Sequence, residues 1–197
     1  MQVILASGSP RRLEIMRKHG IEPAVIVTDV DETIPEGTPP ELATVMLARK
    51  KAMECFNILK NGASDFELPS GEESIIIAAD TVVFKNEIMG KPENAEDAFR
   101  MLSELRGTSH QVISGVAIIN VKSEEMISFH ETTEVFFTDY SDEDIMEYIR
   151  SGEPFDKAGA YAIQGGFGKY VEHYEGDYEN VVGLPFSSIE KRLKKVK

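Results

Sequence analysis

The chain has 197 residues, enough for one domain with a sizeable core, and its 42% hydrophobic and 28% charged residues are ordinary for a soluble globular protein. Its formal net charge of −13 argues against a general binder of nucleic acid or of anionic membranes. The single cysteine, Cys55, excludes an intramolecular disulfide and a multi-cysteine zinc site, and it fits a reducing compartment. No apolar run reaches the length of a membrane span, so we expect a cytoplasmic protein with no membrane or nucleic-acid partner.

The first motif is a turn of small residues between a strand and a helix. A short apolar strand, Val3 to Ala6, runs into Ser7-Gly8-Ser9-Pro10-Arg11-Arg12. The Ser-Pro pair predicts the N-cap and first position of a helix. Such a helix start offers backbone N–H groups and a positive dipole end to an anion, and a bound polyphosphate would explain the two arginines there. A strand–turn–helix unit with no function is the alternative.

An acidic turn follows a second predicted strand at Pro23 to Val27. Asp29, Asp31 and Glu32 place three carboxylates within four residues, a pattern able to bind a hard divalent cation. A solvated acidic loop is the alternative interpretation.

A long helix is predicted from the capping-box spacing of Thr38-Pro-Pro-Glu41 to about Leu59. Its expected core face consists of Leu42, Val45, Met46, Met53, Phe56 and Leu59. The basic run Arg49-Lys50-Lys51 lies mid-helix, where we expect a solvated face with at most one functional lysine. Residues 61–73 are rich in Gly, Ser, Pro and acids and predict a loop.

The run from Ser74 to Phe84 predicts a strand buried on both faces, with Asp80-Thr81 inside it. A carboxylate in such a strand is costly to bury unless it meets a cation, a metal or a hydrogen-bond donor. Asp80 is therefore a candidate catalytic or metal-binding group, and an aspartate that caps a turn at the strand end is the alternative. Gly90-Lys91-Pro92, which follows, holds a lysine between two residues that restrict the backbone.

The second half of the chain predicts a mixture of helices and strands. We expect a helix capped by Asn94, strands at Val112–Asn120, Met126–Phe137, Tyr170–Tyr174 and Tyr178–Val182, a helix opened by the capping box Ser141-Asp-Glu-Asp144, and a last helix with a basic end at Lys191–Lys197. His110 stands alone at a strand entry, where a structural role is expected rather than that of a base.

The segment from Asp156 to Gly166 surrounds Lys157, Tyr161 and Gln164 with small residues. Small residues let a ligand approach the backbone closely, and a glutamine amide can pair with the edge of a base. A structural loop with glycine bends is the alternative.

Taken together, these motifs resemble the Maf family, the septum-formation inhibitor-like nucleotide pyrophosphatases. The matching motifs are Ala6–Arg12, Asp31-Glu32, Leu47–Ala52, Ala78–Thr81, Gly90–Pro92, Ser109–Val112, Asp156–Gly165 and Asn180–Pro185, in family order. The resemblance implies a cytoplasmic enzyme that uses Mg²⁺ or Mn²⁺ to convert nucleoside triphosphates to monophosphates and pyrophosphate. It also implies a single domain over residues 1–197 with an α/β fold like that of the inosine-triphosphate pyrophosphatases: a twisted mixed sheet, flanking helices and a cleft between two lobes. A homodimer is common in such enzymes.

The form of the Asp156–Gly165 motif resembles the family branch that acts on dTTP and UTP, and modified pyrimidine nucleotides are further candidate substrates. By the same match, Asp80 resembles the proton acceptor that activates water at the α-phosphorus. The specificity positions are Arg11, Thr81 and Gln164, the phosphate-binding positions are Ser7, Gly8, Ser9, Arg12, Lys51, Lys91 and Lys157, and the metal positions are Glu32 and Asp80. The alternative is a nucleotide-sensing regulator of cell division and septum formation without significant turnover.

Overall fold

The computed structural model describes residues 2–62 and 73–194. Its strands are β1 (Gln2–Leu5), β2 (Ala24–Val25), β3 (Ser74–Phe84), β4 (Ile88–Met89), β5 (Ser109–Asn120), β6 (Met126–Phe137) and β7 (Val171–Glu175). Its helices are α1 (Pro10–Lys18), α2 (Pro40–Lys60), α3 (Ala95–Leu105), α4 (Asp142–Arg150), α5 (Tyr178–Val182) and α6 (Phe186–Leu193), with short 3-10 helices at Glu153–Asp156, Ala158–Ala160 and Gly166–Tyr170. Most of the loop predicted at 61–73 and the last three residues of the predicted basic end lie outside the described residues.

The strands form one mixed sheet in the order β2-β1-β3-β5-β6-β7, with β4 paired to β3. Strand β1 is parallel to both neighbours, so that Ile4 lies opposite Ala24 on one side and Ile76 on the other. The β3–β4 and β6–β7 pairs are antiparallel. The predicted α/β fold with a mixed sheet and flanking helices is confirmed, whereas the single domain and the cleft stay predictions.

The described residues fall into two compact units. Unit 1 comprises Met1–Asp80, Ser114–Glu131 and Gly183–Lys197, and unit 2 comprises Thr81–Ile113 and Thr132–Val182. The chain passes from unit 1 to unit 2 within β3, because Asp80 and Thr81 are consecutive residues of that strand.

The core of unit 1 forms where α2 packs its small residues on the sheet. Ala48, Ala52 and Cys55 are fully buried with Ile76 of β3, and burial raises the pKa of the Cys55 thiol to about 12. The predicted core face of α2 is therefore wrong in part: Leu42 and Met53 are 51% and 42% exposed, although Phe56 and Leu59 are buried. The physical reason is close approach, since a Cβ on Gly115 of β5 would lie 2.2 Å from the carbonyl carbon of Thr44.

The core of unit 2 is built around an aromatic cluster. Phe167 is 1% exposed and lies within 6.0 Å of the rings of Phe137, Tyr140, Tyr148 and Tyr170, measured between centroids. Aromatic pairs at such distances stabilise a core beyond the area that they bury.

Helix caps in unit 2 hold the surrounding helices in place, as predicted. The Asn94 side chain accepts a hydrogen bond from the Asp97 backbone at the start of α3. Ser141 and Asp144 form the reciprocal capping box at the start of α4.

Two predictions of local structure are wrong. Residues Tyr178–Val182 form helix α5 instead of a strand, because the Asp177 side chain accepts a hydrogen bond from the Glu179 backbone N–H and its carbonyl accepts one from Val181. Thr38 does not cap α2: its hydroxyl donates to the Pro35 carbonyl, and Pro39 occupies the N-cap position.

Candidate active site

The turn between β1 and α1 is folded around the Ser7 hydroxyl. This oxygen accepts hydrogen bonds from the Ser9 backbone N–H at 3.2 Å and from Arg12 Nη1 at 3.1 Å. Ser9 occupies the predicted N-cap position with extended backbone, its side chain makes no capping hydrogen bond, and Pro10 begins the helix. The helix start therefore presents its positive end without a serine oxygen neutralising it.

Arg12 is fixed at two points. Its Nε donates to the Gly183 carbonyl at 2.9 Å, in addition to the contact with Ser7. Burial lowers the pKa of the Arg12 guanidinium, while the nearby Asp80 carboxylate acts in the opposite direction. An arginine remains charged under such a shift, so Arg12 is a cation whose position near Asp80 is fixed by Ser7 and Gly183.

Lys51 joins the two carboxylates that the sequence singles out. Its ammonium nitrogen lies 2.7 Å from Asp80 Oδ1 and 2.7 Å from Glu32 Oε1. The Lys51 and Asp80 side chains are only 15% and 13% exposed, whereas Glu32 is 62% exposed. The costly buried carboxylate of β3 is therefore compensated by a cation supplied from α2.

The adjacent lysine has a second role in holding the acidic turn. Lys50 Nζ donates to the Asp31 carbonyl at 2.9 Å, so that Lys50 fixes the backbone of the turn while Lys51 binds the Glu32 carboxylate. The Asp31 side chain accepts from Thr33 N–H, and hydrogen bonding to Thr33 lowers the pKa of Asp31. The expectation of at most one functional lysine in the basic run stays a prediction, because the Lys50 contact is made with backbone.

Among the predicted site residues of unit 1, cations outnumber carboxylates. They comprise three cations, Arg11, Arg12 and Lys51, and two carboxylates, Glu32 and Asp80. Arg12 lies close enough to Arg11, Glu32 and Asp80 to interact with their charges. Lys51 contacts both carboxylates. In a chain of net charge −13, the predicted site residues of unit 1 thus carry one more positive than negative charge. This arrangement suits a polyanion.

In unit 2, a backbone hydrogen bond brings two predicted lysine-bearing segments together. The Gly159 N–H donates to the Gly90 carbonyl at 3.0 Å, which places the turn that carries Lys91 beside the segment that begins at Lys157. Gly159 adopts φ +65, and a Cβ there would lie 2.7 Å from Val83 on β3, so this position requires glycine. Lys157 is 9% exposed, and its Nζ donates to Asp156 Oδ1 and to the Glu153 carbonyl, both at 2.6 Å.

The remaining predicted positions of unit 2 are more open. Lys91 and Gln164 are exposed and Thr81 is partly buried. Between Lys157 and Gln164, the Tyr161 hydroxyl lies 2.7 Å from His110 Nε2 in the protein interior. Burial lowers the pKa of His110 to about 3, so the ring is neutral at physiological pH, in keeping with the structural role expected for it.

The pair of Glu32 and Asp80 can be tested as a divalent-cation site. Both oxygens contact the same ammonium nitrogen at 2.7 Å, so they lie no more than twice that distance apart. Across residues 2–62 and 73–194, no group of three or more His, Cys, Asp or Glu side chains is arranged to hold a metal ion. Two carboxylates fit Mg²⁺ or Mn²⁺ only when substrate phosphate and water supply the other ligands, which is the usual way in which Mg²⁺ is bound.

The family of the chain is settled by comparison of its sequence. A profile described as Maf-like protein matches residues 2–196. The chain belongs to this family. A dTTP/UTP pyrophosphatase of Caldicellulosiruptor saccharolyticus is 44% identical over 99% of this chain and 94% of its own length. A dTTP/UTP pyrophosphatase of Clostridium perfringens is 45% identical over 98% of this chain and 96% of its own.

Among solved structures, the Staphylococcus aureus Ham1 protein matches with a TM-score of 0.49 and 14% identity, covering 100% of both chains.

No helix in the described part of this Maf-like chain combines the length and apolar character that crossing a membrane requires.

Three contributors to the site were missed by sequence reasoning. They are Lys50, the Gly183 carbonyl and Glu153. The signal for Lys50 was its place beside Lys51, since two neighbouring lysines on a helix can both reach the same acidic turn. The signal for Glu153 was the pair Gly165-Gly166, whose lack of side chains makes room for it. A backbone carbonyl such as that of Gly183 has no residue-type signal.

Proposed function

We propose that this Maf-like protein hydrolyses dTTP, UTP and modified pyrimidine nucleoside triphosphates to the monophosphate and pyrophosphate. The observation that carries the proposal is the Lys51 ammonium held between Asp80 and Glu32, beside a helix start with two arginines. The names of relatives that are 44% and 45% identical over nearly the whole chain support the choice of reaction and of substrates.

The triphosphate is bound by the cationic part of unit 1. The turn at Ser7, Gly8 and Ser9 and the start of α1 receive phosphate oxygens, and the Ser9 N–H exchanges its contact with the Ser7 hydroxyl for one with phosphate. Arg11 and Arg12 donate to them, and Arg12 is suited to this because Gly183 and Ser7 already fix its orientation. Lys51 exchanges part of its contact with the two carboxylates for a contact with phosphate.

Asp80 acts as the general base. It accepts a proton from a water molecule, whose oxygen forms a bond to the α-phosphorus while the bond from that phosphorus to the bridging α–β oxygen breaks. The bridging oxygen leaves with pyrophosphate, and Lys51 and the arginines offset the charge that it acquires. No covalent intermediate is required.

Glu32 and Asp80 are the side chains that would hold Mg²⁺ or Mn²⁺ together with the triphosphate. When bound, the cation supplies charge neutralisation and orientation of the phosphates. Removal of divalent ions by a chelator should abolish pyrophosphate release, and restoration by Mg²⁺ or Mn²⁺ but not by Ca²⁺ alone would fit a small, octahedral site.

The base is recognised by unit 2. Gln164 and Thr81 read the pyrimidine edge, and Lys91 and Lys157 supply positive charge in the same unit. A site that pairs polar groups with one base rejects others because mismatched bases leave those groups unpaired. We further propose that the protein acts in the cytoplasm and forms a homodimer.

The test is pyrophosphate release by the purified protein with Mg²⁺ or Mn²⁺ across dTTP, UTP, CTP, GTP, ATP and 7-methyl-GTP. Selective turnover of dTTP and UTP is expected. Comparable kcat/KM for all six nucleotides would remove the base-reading role, and activity on 7-methyl-GTP alone would overturn the substrate. Binding without turnover would favour the nucleotide-sensing regulator of cell division instead.

A second experiment tests the general base. Asp80→Asn should lower kcat by about 10²–10⁴-fold, which is the usual contribution of such a group. Retention of more than about a tenth of wild-type kcat would contradict the role of Asp80 as the proton acceptor.

A further inference from the structure

Glu153 contacts both ends of the segment that carries the base-reading glutamine. We define the recognition loop as residues 157–166, which include Lys157 and Gln164. The Glu153 backbone carbonyl accepts a hydrogen bond from Lys157 Nζ at 2.6 Å. Its carboxylate accepts from the Gly166 backbone N–H, at 3.1 Å to Oε1 and 3.2 Å to Oε2. One residue thus holds the loop at its first position and at its last.

The Glu153 carboxylate lies where side chains on the two glycines after Gln164 would begin. A Cβ on Gly165 would lie 1.8 Å from Glu153 Oε1, and a Cβ on Gly166 would lie 3.1 Å from Oε2. Gly165 has φ −95, a conformation open to any residue, so a side chain at this position would conflict only with the present place of the Glu153 carboxylate. A methyl group at position 165 would therefore displace the carboxylate from its contact with the Gly166 N–H.

The contact sets the position of Gln164. The Gly165 N–H donates to the Ala162 carbonyl at 3.0 Å, and the Gly168 N–H donates to the Gly165 carbonyl at 2.9 Å, so Gln164 lies in a tight turn. The Gln164 side chain is exposed, and the place of its amide depends on the backbone of that turn. The Glu153 carboxylate anchors the turn from outside, through the N–H two residues after Gln164.

We propose that Glu153 is a specificity-positioning residue: it fixes the recognition loop so that Gln164 discriminates between nucleotide bases. This inference rests on the proposed function in assigning base reading to Gln164. Glu153 acts through the loop and takes no part in the reaction itself. A charge-assisted hydrogen bond to a backbone N–H is among the stronger ones, so its loss should loosen the turn measurably.

The test measures base selectivity by binding, so that it does not depend on chemistry. Calorimetric titration with Mg²⁺ compares the α,β-methylene analogues of dTTP and dCTP, which cannot be cleaved between those phosphates. In Glu153→Ala the ratio of the two Kd values should fall by about threefold or more, because the lost hydrogen bond is charge-assisted but exposed to solvent. Glu153→Gln keeps an oxygen that accepts from Gly166 and should retain the ratio within about 1.5-fold.

Two further variants make the result specific. Glu147→Ala removes an exposed glutamate from α4 of the same unit and should leave the ratio unchanged. Gly165→Ala should lower the ratio as Glu153→Ala does, because the new methyl group displaces the carboxylate. In the double variant, Gly165→Ala should add nothing to Glu153→Ala, since both act on one contact.

The outcomes separate this inference from the proposed function. Selective binding without pyrophosphate release in the wild type would defeat the proposed reaction and leave the role of Glu153 to be decided by the Kd ratios. An unchanged ratio in Glu153→Ala, an equal loss of affinity for both analogues, or additive effects in the double variant would each overturn the inference. If Glu153→Ala does not fold, the Glu153→Gln and Gly165→Ala ratios decide it, together with faster amide hydrogen exchange at Gly166.

Discussion

Gly115 is the position at which a single methyl group should damage both the fold and the site. A Cβ there would lie 2.2 Å from the Thr44 carbonyl carbon and 2.4 Å from the Val45 nitrogen, both of them backbone atoms of α2. Ordinary van der Waals contact begins at 3.4 Å, so the helix must retreat by about 1.2 Å in Gly115→Ala. Lys51 lies two turns further along α2, about 10 Å from Thr44 along the helix axis.

The magnitude follows from this displacement. Overpacking a core costs about 1–3 kcal/mol, and we expect about 3 kcal/mol here because a helix backbone yields less easily than a side chain. In a chain of this length, such a loss lowers Tm by about 6–12 °C. The retreat also moves Lys51 away from Asp80, which its Nζ now contacts at 2.7 Å. A displacement of about 1 Å in a catalytic array costs about 100-fold in rate.

Thermal unfolding and pyrophosphate release from dTTP measure the two effects on one preparation. Gly90→Ala is the matched control for stability, since a Cβ there meets nothing within 4 Å. A Gly115→Ala variant with wild-type Tm and wild-type kcat/KM would refute the close packing of α2 on β5. A lowered Tm with full activity below the transition would show that the position of Lys51 does not depend on this contact.

Other predictions concern unit 2. Phe167→Ala removes a ring that is 1% exposed and should lower the free energy of unfolding by about 3–5 kcal/mol in urea titration, with Phe167→Leu closer to wild type. Ser141→Ala removes the N-cap of α4 and should cost about 1 kcal/mol in the same assay, unlike Ser123→Ala in an exposed turn. His110 binds a proton with pKa about 3 in the folded chain and near 6.5 when unfolded, so its contribution to stability is complete above pH 6.5 and is lost as the pH falls towards 3. Between these pH values the free energy of unfolding should change by about 1.4 kcal/mol per pH unit. If His110→Gln does not flatten this dependence on pH, the prediction is contradicted.

The sequence singled out residues that the structure brings together in unit 1, but it misjudged the packing beneath them. Motif spacing indicated the Ser7 turn, Asp80 and the acidic turn at Glu32, because the residue types that carry chemistry are visible in one dimension. The core face of α2 was misjudged because large apolar side chains were taken as the signal, whereas the sheet accepts small residues opposite Gly115. Contacts made by backbone carbonyl groups, such as those of Glu153 and Gly183, have no such signal, since every residue type has the same carbonyl group.

Asp80 and Thr81 are consecutive residues of β3, and their side chains lie on opposite faces of the strand. We propose different roles for them: Asp80 is the general base and Thr81 recognises the nucleotide base. Asp80 shares its face of the strand with Ile76 and Ala78, which are buried in the cluster that includes residues of α2. Thr81 shares the opposite face with Val83, against which Gly159 of the recognition loop packs. Asp80→Asn should therefore lower kcat by a similar factor for every nucleotide, whereas Thr81→Val should change the ratio of kcat/KM between dTTP and CTP with a smaller loss of kcat. Equal losses for dTTP and CTP in Thr81→Val would assign Thr81 to the chemistry and remove it from base recognition.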